Sequence, residues 1–512
     1  MQDYNSISKK RARFAWFHNH GNLVFWATLY LAITYALQFH VALIPYDADT
    51  NYHAAVGRLI REHGILHAFP WTPFSWLSDH YADKELLFHL LFVPLAGLSW
   101  ITASKLVGMF LGAVMLFVSL LILRAEKVNF AGIWALLPLV ASSVFLFRFT
   151  LVRPHLISIS LAFILLWAAL RRRYVLVAVA SALYPWSYVA FWQIPLILLG
   201  IIEAARFLSG ESLQWKPAAA ALAGMAIGWS IHPNSINLVK FNWIQMVDVL
   251  FKNAWQSRQG IELGQEFLPF SIEQWIQWLS ACVLMTVIGL VIGWRERKKD
   301  PGLLAFAFTA LVFGMLSALT ARFAEYFIPF SAATMALASR YIAWRGIAIA
   351  VFSATLLYTG KPLIETMKGL STKKDTMPPQ LESWLQQQIP VGSQVFTTEW
   401  GRTGVLMLAL PERKFIVALD PTLFLVKDPE LYSIWYYLPR FPHPGVAEII
   451  RKRFGARYVV SLFDERFVNF YFQLSSEPGV KALLLSDDNW IVFDLGGPAT
   501  RAPEPADALP FC

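Results

Sequence analysis

The stretch PYDADTNYHAAVGRL, residues 45–59, stands where the first long apolar run of this sequence stops. Asp47, Asp49 and His53 follow directly on a segment long enough to cross a bilayer. Either they only start a helix near Tyr52, since Asp is a favoured N-cap, or they present ionisable groups at a membrane surface. The choice matters because charge is scarce here. Of 512 residues, 56% are hydrophobic and only 15% are charged, against about 25% charged in soluble domains. Charge is depleted from residue 22 to residue 360 and returns to ordinary levels afterwards. That split predicts an α-helical polytopic membrane part over 1–360 and an α/β domain over 361–512.

Apolar runs near 22–44, 103–123, 129–147, 154–170, 174–187, 189–206, 217–232, 273–294, 301–320, 323–341 and 345–360 predict eleven membrane helices. An odd count puts the chain ends on opposite sides. The basic clusters Lys9–Arg13, Arg124 with Lys127, Arg171–Arg173, Arg206 with Lys216, Arg295–Lys299 and Arg340 with Arg345 then share one face. With the N-terminus cytoplasmic, that is the positive-inside pattern. The net charge of +9 is therefore a topology signal, with no nucleic acid implied. Outside lie a first loop at 45–102, a second at 233–272, and everything after 361. LLFHLLFVPLAGLSWI (86–101) is an interfacial or re-entrant helix, because counting it as a span breaks the charge pattern.

Cys282 and Cys512 offer no disulfide framework. The basic start MQDYNSISKKRARF leads into an uncleaved apolar stretch, which favours a bacterial inner membrane with the tail periplasmic or extracellular. In the tail, QLESWLQQQI reads as helix, and SQVFTTEW and KFIVAL as strands. PGVAEIIRKRFGARYVVSLF reads as helix then strand, and VKALLLSDDNWIVFDL as a closing strand pair. Such alternation is that of a small α/β domain.

The outer face collects the polar residues. The first loop offers Asp47, Asp49, His53, Asp79, His80, Asp83 and Glu85; the turn RFTLVRPH offers Arg148, Arg153 and His155. The second loop adds His232, Asn234, Glu262 and Glu266, and TARFAEYF adds Arg322 and Glu325. Each has a plain structural reading as well. His53 reads as a surface histidine, Pro154 as a helix-start proline, His232-Pro233-Asn234 as turn chemistry, and Glu325 as a pairing partner for Arg322. Arg148, Arg153 and Arg322, however, lie on the face that should be poor in basic residues. They need an anionic partner there, and a lipid-linked phosphate suits a guanidinium. A carboxylate such as Asp49 that deprotonates an acceptor hydroxyl, in a cavity shared with arginines that stabilise a departing polyprenyl phosphate, would serve lipid-dependent glycosyl transfer.

At this point the sequence resembles the GT-C superfamily of integral-membrane glycosyltransferases. YDADTNYHAAVGRLIREHG (46–64) is similar to that superfamily's first-loop motif, which maps the catalytic acid onto Asp49 first and Asp47 second. TARFAEYFIPFSAATMALASRYI (320–342) resembles the late segment whose arginine faces the lipid phosphate, which maps onto Arg322. LILRAEKVNFAGIW and FRFTLVRPHLISISLAFILLW match the intervening spans in spacing, and SQVFTTEWGRTGVLMLALPERKFIVALDPT resembles the start of the soluble domain of the oligosaccharyltransferase branch. The resemblance implies a polyprenyl-phosphate sugar donor, a glycan, lipid or protein acceptor, and membrane lipids as surroundings. Arg153, His155, Arg322, His53 and Glu266 become its candidate phosphate- or acceptor-binding groups.

Two departures narrow the expectation. Oligosaccharyltransferases carry a metal-holding acidic pair where this chain has Arg153-Pro154-His155, and a Trp-Trp-Asp signature where it has Thr398-Glu399-Trp400-Gly401. A metal site made of Asp49 and Glu266 alone would be underfilled for a hard cation. A transferase of one sugar that requires no cofactor fits better than en bloc oligosaccharide transfer, with a divalent metal left open. A lipid or solute transporter is the rival of another class. It should show related halves and mid-span ionisable groups, and the sequence shows no repeat and few such groups. A receptor or scaffold would leave the first-loop aspartates and outer arginines without a purpose.

Overall fold

All eleven apolar runs wind into helix, as the lack of polar partners in a dry surrounding requires of a backbone. The structure, a computed structural model, describes residues 22–42, 48–247, 264–344, 346–372, 377–418, 420–485 and 490–496. Five helices are long and apolar enough to cross a membrane: Asn22–Val41, Trp100–Ala125, Ile272–Glu296, Pro301–Leu319 and Ile347–Thr372. A sixth arises if the bent pair Ala131–Ala141 and Ser143–Thr150 counts as one span. The expected count of eleven is thus not reached by length. His155–Leu170, Tyr174–Ser187, Gln193–Leu208, Trp215–Ser230 and Ala324–Ala338 are helical where expected, but at 14–16 residues they measure only about 21–24 Å against a hydrocarbon core of about 30 Å.

The chain divides into two compact units, one made of 1–46, 101–231 and 265–374, the other of 47–100, 232–264 and 375–512. In the first unit every residue of Ala324–Ala338 is buried, as befits a helix that is apolar all round. Phe330 stacks on Phe163 at 4.4 Å and Tyr326 on Phe313 at 4.7 Å. Tyr174–Ser187 and Trp215–Ser230 pack backbone to backbone through Gly224 and Gly228, one helical turn apart. A Cβ there would stand 2.1 Å and 2.0 Å from the carbonyl oxygens of Ala178 and Ala182. Small residues at that spacing let two helices approach when packing is the main attraction between them.

At one end of this bundle, four turns meet in an ion-pair network. Arg171 Nε donates to Glu126 Oε1 at 2.7 Å, Arg340 pairs with Asp300, and Arg340 Nη1 donates to the Glu126 carbonyl at 3.1 Å. These turns carry basic residues that the sequence placed on a common face. The run predicted as one span at 129–147 is broken instead. Ser142 has an extended backbone, and the helices on either side of it diverge by 98°.

The second unit is built on a five-stranded sheet of β1 (Gln394–Phe396), β2 (Lys414–Phe415), β3 (Ala456–Leu462), β4 (Lys481–Leu485) and β5 (Trp490–Asp494), in the order β2-β1-β3-β5-β4. β1 runs parallel to β2 and β3, while β5 is antiparallel to β3 and β4. The helices Pro379–Gln388 and Val446–Phe454 and all five strands form where their periodicity predicts them. Residues 47–100 share this core. Trp71 Nε1 donates to the Pro411 carbonyl at 2.7 Å, Phe415 N donates to the Trp71 carbonyl at 2.7 Å, and Phe74 packs on Phe424 and Phe454.

Replacing Gly228 with Leu should hold the two helices apart and cost about 1–3 kcal/mol in overpacking. Thermal unfolding in detergent checks this, and an unchanged midpoint would refute the close-packing account.

Candidate functional site

Two clusters of ionisable groups stand out, one in each unit. The first is centred on Glu266, in the turn Gln265–Phe267. That turn is pinned to the chain at 320–321: Thr320 Oγ1 donates to the Glu266 carbonyl at 3.0 Å and Ala321 N to the Leu268 carbonyl at 2.9 Å. The Glu266 carboxylate therefore faces Arg322, which follows directly on the pinned residues.

Three guanidinium groups converge on this one carboxylate. Arg148 Nη1 donates to Oε2 at 2.6 Å, Arg153 Nη1 to the same oxygen at 2.9 Å, and Arg322 Nη1 to Oε1 at 2.9 Å. The break at Ser142 starts the short helix Ser143–Thr150 that ends beside Arg148. Arg153 lies in the turn before Pro154, a position that proline keeps out of helical conformation. Arg322 also donates from Nε to the Tyr188 hydroxyl at 3.2 Å. Burial pushes the Glu266 carboxyl up, but Arg322, Arg148 and Arg153 outweigh burial and hold it well below the ordinary glutamate value. Arg148 also pairs with Glu325. Glu325 thus serves Arg148, where the sequence had paired it with Arg322.

His155 opens the helix His155–Leu170 and lies within electrostatic range of all three arginines and of Glu266. It is buried, and neither ring nitrogen has a hydrogen-bond partner among the described residues. Helices His155–Leu170 and Pro301–Leu319 run from this cluster to the Arg171–Asp300 end of the bundle. The cluster therefore occupies the end of the bundle opposite the basic turns. Arg153, His155, Arg322 and Glu266 are thus brought together, with Arg148 added. Its place in RFTLVRPH, five residues before Arg153, was the signal for it.

Asp49 and His53 belong to the second unit. The helix runs Ala48–His63, so Asp49 sits inside its first turn, where a carboxylate meets the positive end of the helix dipole. The expected N-cap role near Tyr52 is corrected by this earlier start. Asp47 and Glu262 lie outside the described residues. His53, expected on the surface, is 3% exposed. Its Nδ1 lies 2.8 Å from His89 Nε2 and 3.8 Å from Glu85 Oε2. His89 Nδ1 faces both Asp83 oxygens at 2.8 Å. The sequence reading passed over His89, whose only signal was a lone histidine within LLFHLLF. Asn234 is structural here: its Oδ1 accepts from Asp83 N at 3.2 Å and its Nδ2 donates to the Leu66 carbonyl at 3.0 Å. His232 Nδ1 accepts from Asn234 N at 3.1 Å, and burial pushes that imidazole pKa down.

No protein-family model matches the chain, and no curated protein matches it in sequence. Solved structures do match in shape. The archaeal oligosaccharyltransferase AglB of Archaeoglobus fulgidus, solved with an inhibitory peptide and a dolichol-phosphate, superposes with TM-score 0.62 and 14% identity. That alignment covers 87% of this chain and 70% of the other. ArnT from Cupriavidus metallidurans, solved with undecaprenyl phosphate, gives 0.59 and 12% over 95% of this chain and 99% of the other. The mycobacterial arabinofuranosyltransferase AftD gives 0.57 and 14% over 92% of this chain and 42% of the other. The chain shares the fold of these solved glycosyltransferases. Within this fold, the Glu266 cluster is a carboxylate ringed by three guanidiniums, built from turns far apart in sequence.

Glu266→Gln leaves three guanidiniums without their shared counter-charge and should destabilise the protein by about 3 kcal/mol at pH 7. Because the folded-state pKa of Glu266 is depressed, its contribution is present above the unfolded glutamate value and fades as pH falls through the folded one. Unfolding of wild type and variant at pH 7 and at stepwise lower pH checks the sign: their difference should shrink only below the ordinary glutamate range.

Proposed function

We propose that this protein is a membrane glycosyltransferase that moves one sugar from a polyprenyl-phosphate-linked donor to a glycan, lipid or protein acceptor at the outer face of the cytoplasmic membrane. The observation that carries the reading is the convergence of Arg148, Arg153 and Arg322 on one carboxylate, with the buried His155 beside it. Such a centre suits a phosphate dianion, which guanidinium groups bind with paired hydrogen bonds. The GT-C fold supports the reading, as do AglB and ArnT, solved with dolichol-phosphate and undecaprenyl phosphate respectively.

In the proposed reaction the acceptor oxygen attacks the anomeric carbon as the bond from that carbon to the phosphate oxygen breaks. Asp49, or Asp47 two residues earlier, takes the acceptor proton. The arginines stabilise the charge that the leaving phosphate gains, while His155 and Glu266 contact phosphate or acceptor. Eleven spans over 1–360, an inside N-terminus, outer loops at 45–102 and 233–272 and an outer α/β domain over 361–512 are the topology that goes with this reading. This reading requires no cofactor and leaves a divalent metal open: Arg153-Pro154-His155 stands where an acidic metal-binding pair would otherwise serve.

The test is donor consumption by the purified protein with a panel of labelled polyprenyl-phosphate sugars and envelope acceptors. Asp49→Asn should lower turnover by roughly 100-fold or more, and Arg322→Ala by on the order of 100-fold, with no stimulation by added divalent cation. A requirement for a diphosphate-linked oligosaccharide and added metal would replace the reading with en bloc transfer. Uptake of solute or lipid without bond breakage would replace it with transport.

A further inference from the structure

The second unit contains a polar centre that the proposed chemistry leaves largely unused. His53 is 3% exposed, Glu85 6% and His89 0%. One donor atom from each lies within 4.8 Å of the other two. The Glu85 carboxylate is the anomaly. Its ion-pair contacts are both long, His53 Nδ1 at 3.8 Å and Lys84 Nζ at 3.9 Å. Asp83, 3% exposed, adds a second carboxylate from the residue before Lys84. Two buried carboxylates beside imidazoles are costly unless a cation compensates them.

The His89 ring is oriented as a metal ligand would be. Its Nδ1 donates to the Asp83 carboxylate at 2.8 Å, which fixes the tautomer and leaves Nε2 as a lone-pair donor directed at His53. A carboxylate behind a histidine is the usual outer support of a metal-bound imidazole. Tetrahedral ligands at about 2.0–2.1 Å from a metal are separated by about 3.3 Å; two of the three pairs here stand at 2.8 Å and 3.8 Å, and the third lies within 4.8 Å. Backbone packing holds the two segments at that reach. A Cβ on Gly57, one turn beyond His53, would lie 2.4 Å from Phe92 Cβ and 3.3 Å from the His89 carbonyl, so glycine lets helix Ala48–His63 press against residues 89–92.

We propose that His53 Nδ1, His89 Nε2 and the Glu85 carboxylate form a buried transition-metal site that takes Zn2+, with Asp83 orienting His89. Two imidazoles and one carboxylate suit zinc and disfavour the hard cations magnesium and calcium, which select oxygen. The metal would tie the helix that carries Asp49 to the segment 83–89 and leave one tetrahedral position for water. Such a tie is positional: no step of the transfer passes through it, and the site stands or falls independently of the donor.

The experiment uses the full chain, purified in detergent without a polyhistidine tag and equilibrated in metal-free buffer. Elemental analysis should find about one zinc per chain. His89→Ala and Glu85→Gln should lose it, while Asp83→Asn should keep a site weakened about 10–100-fold in a chelator competition. X-ray absorption at the zinc edge of the wild type should show two imidazoles and oxygen, which decides the matter even if a variant fails to fold. Wild-type protein that carries no zinc above background and takes none from a weak chelator overturns the site. The cluster is then a hydrogen-bonded relay from Asp83 through His89 to His53. Zinc bound with unaltered affinity in His89→Ala overturns it equally. Because metal content is read without turnover, failure here is distinct from failure of the glycosyltransferase reading.

Discussion

Three guanidinium groups at close quarters repel one another, and in water they would separate. In the first unit they stay together because the Glu266 carboxylate accepts from all three. The arrangement is stable only as a set, since a carboxylate removed from water needs those cations as much as they need it. Much local structure serves this one balance. The extended residue at Ser142 ends a helix early, the proline after Arg153 holds a turn open, and Thr320 and Ala321 clamp the backbone around Glu266. Arg148 divides its donors between Glu266 and Glu325, which joins the cluster to the central buried helix.

The same electrostatic economy explains the opposite end of the bundle. Glu126, Arg171, Asp300 and Arg340 form a second network, and helices that run between the two networks are apolar along their length. Ionisable groups are expensive away from water, so this unit places most of them where its helices end. Between those ends the packing is aromatic and close, with Phe163 on Phe330 and a glycine seam against Ala178 and Ala182.

In the second unit the polar centre sits within a sheet-and-helix core. Trp71 and Phe74 bind residues 47–100 to the strands and helices that follow residue 377. Segments distant in sequence thus share one hydrophobic interior, and His53, Asp83, Glu85 and His89 are buried by it. That burial turns ordinary loop residues into an electrostatic problem with two solutions, a shared proton or a shared cation.

Helix and strand positions were legible in the sequence because run length, periodicity and basic flanks are local properties. The helices from Trp100 to Ala338 lie within a few residues of the apolar runs, Ile347–Thr372 continues well past the predicted end at 360, and β3 to β5 fall where alternation placed them. The candidates Arg153, His155, Glu266 and Arg322 were also legible, because an arginine at the end of an apolar run away from the basic flanks stands out. Their partners were not. Nothing local tells Glu325 to meet Arg148 across 177 residues, or His53 to meet His89 and leave the surface. The sequence by itself determined the helical membrane class, the two kinds of chain segment and the residues with chemical potential, since these follow from hydropathy and spacing. Only the tertiary structure decided which carboxylate answers which cation and which histidine is dry, because pairing and desolvation depend on segments that meet in space and carry no mark of each other in order.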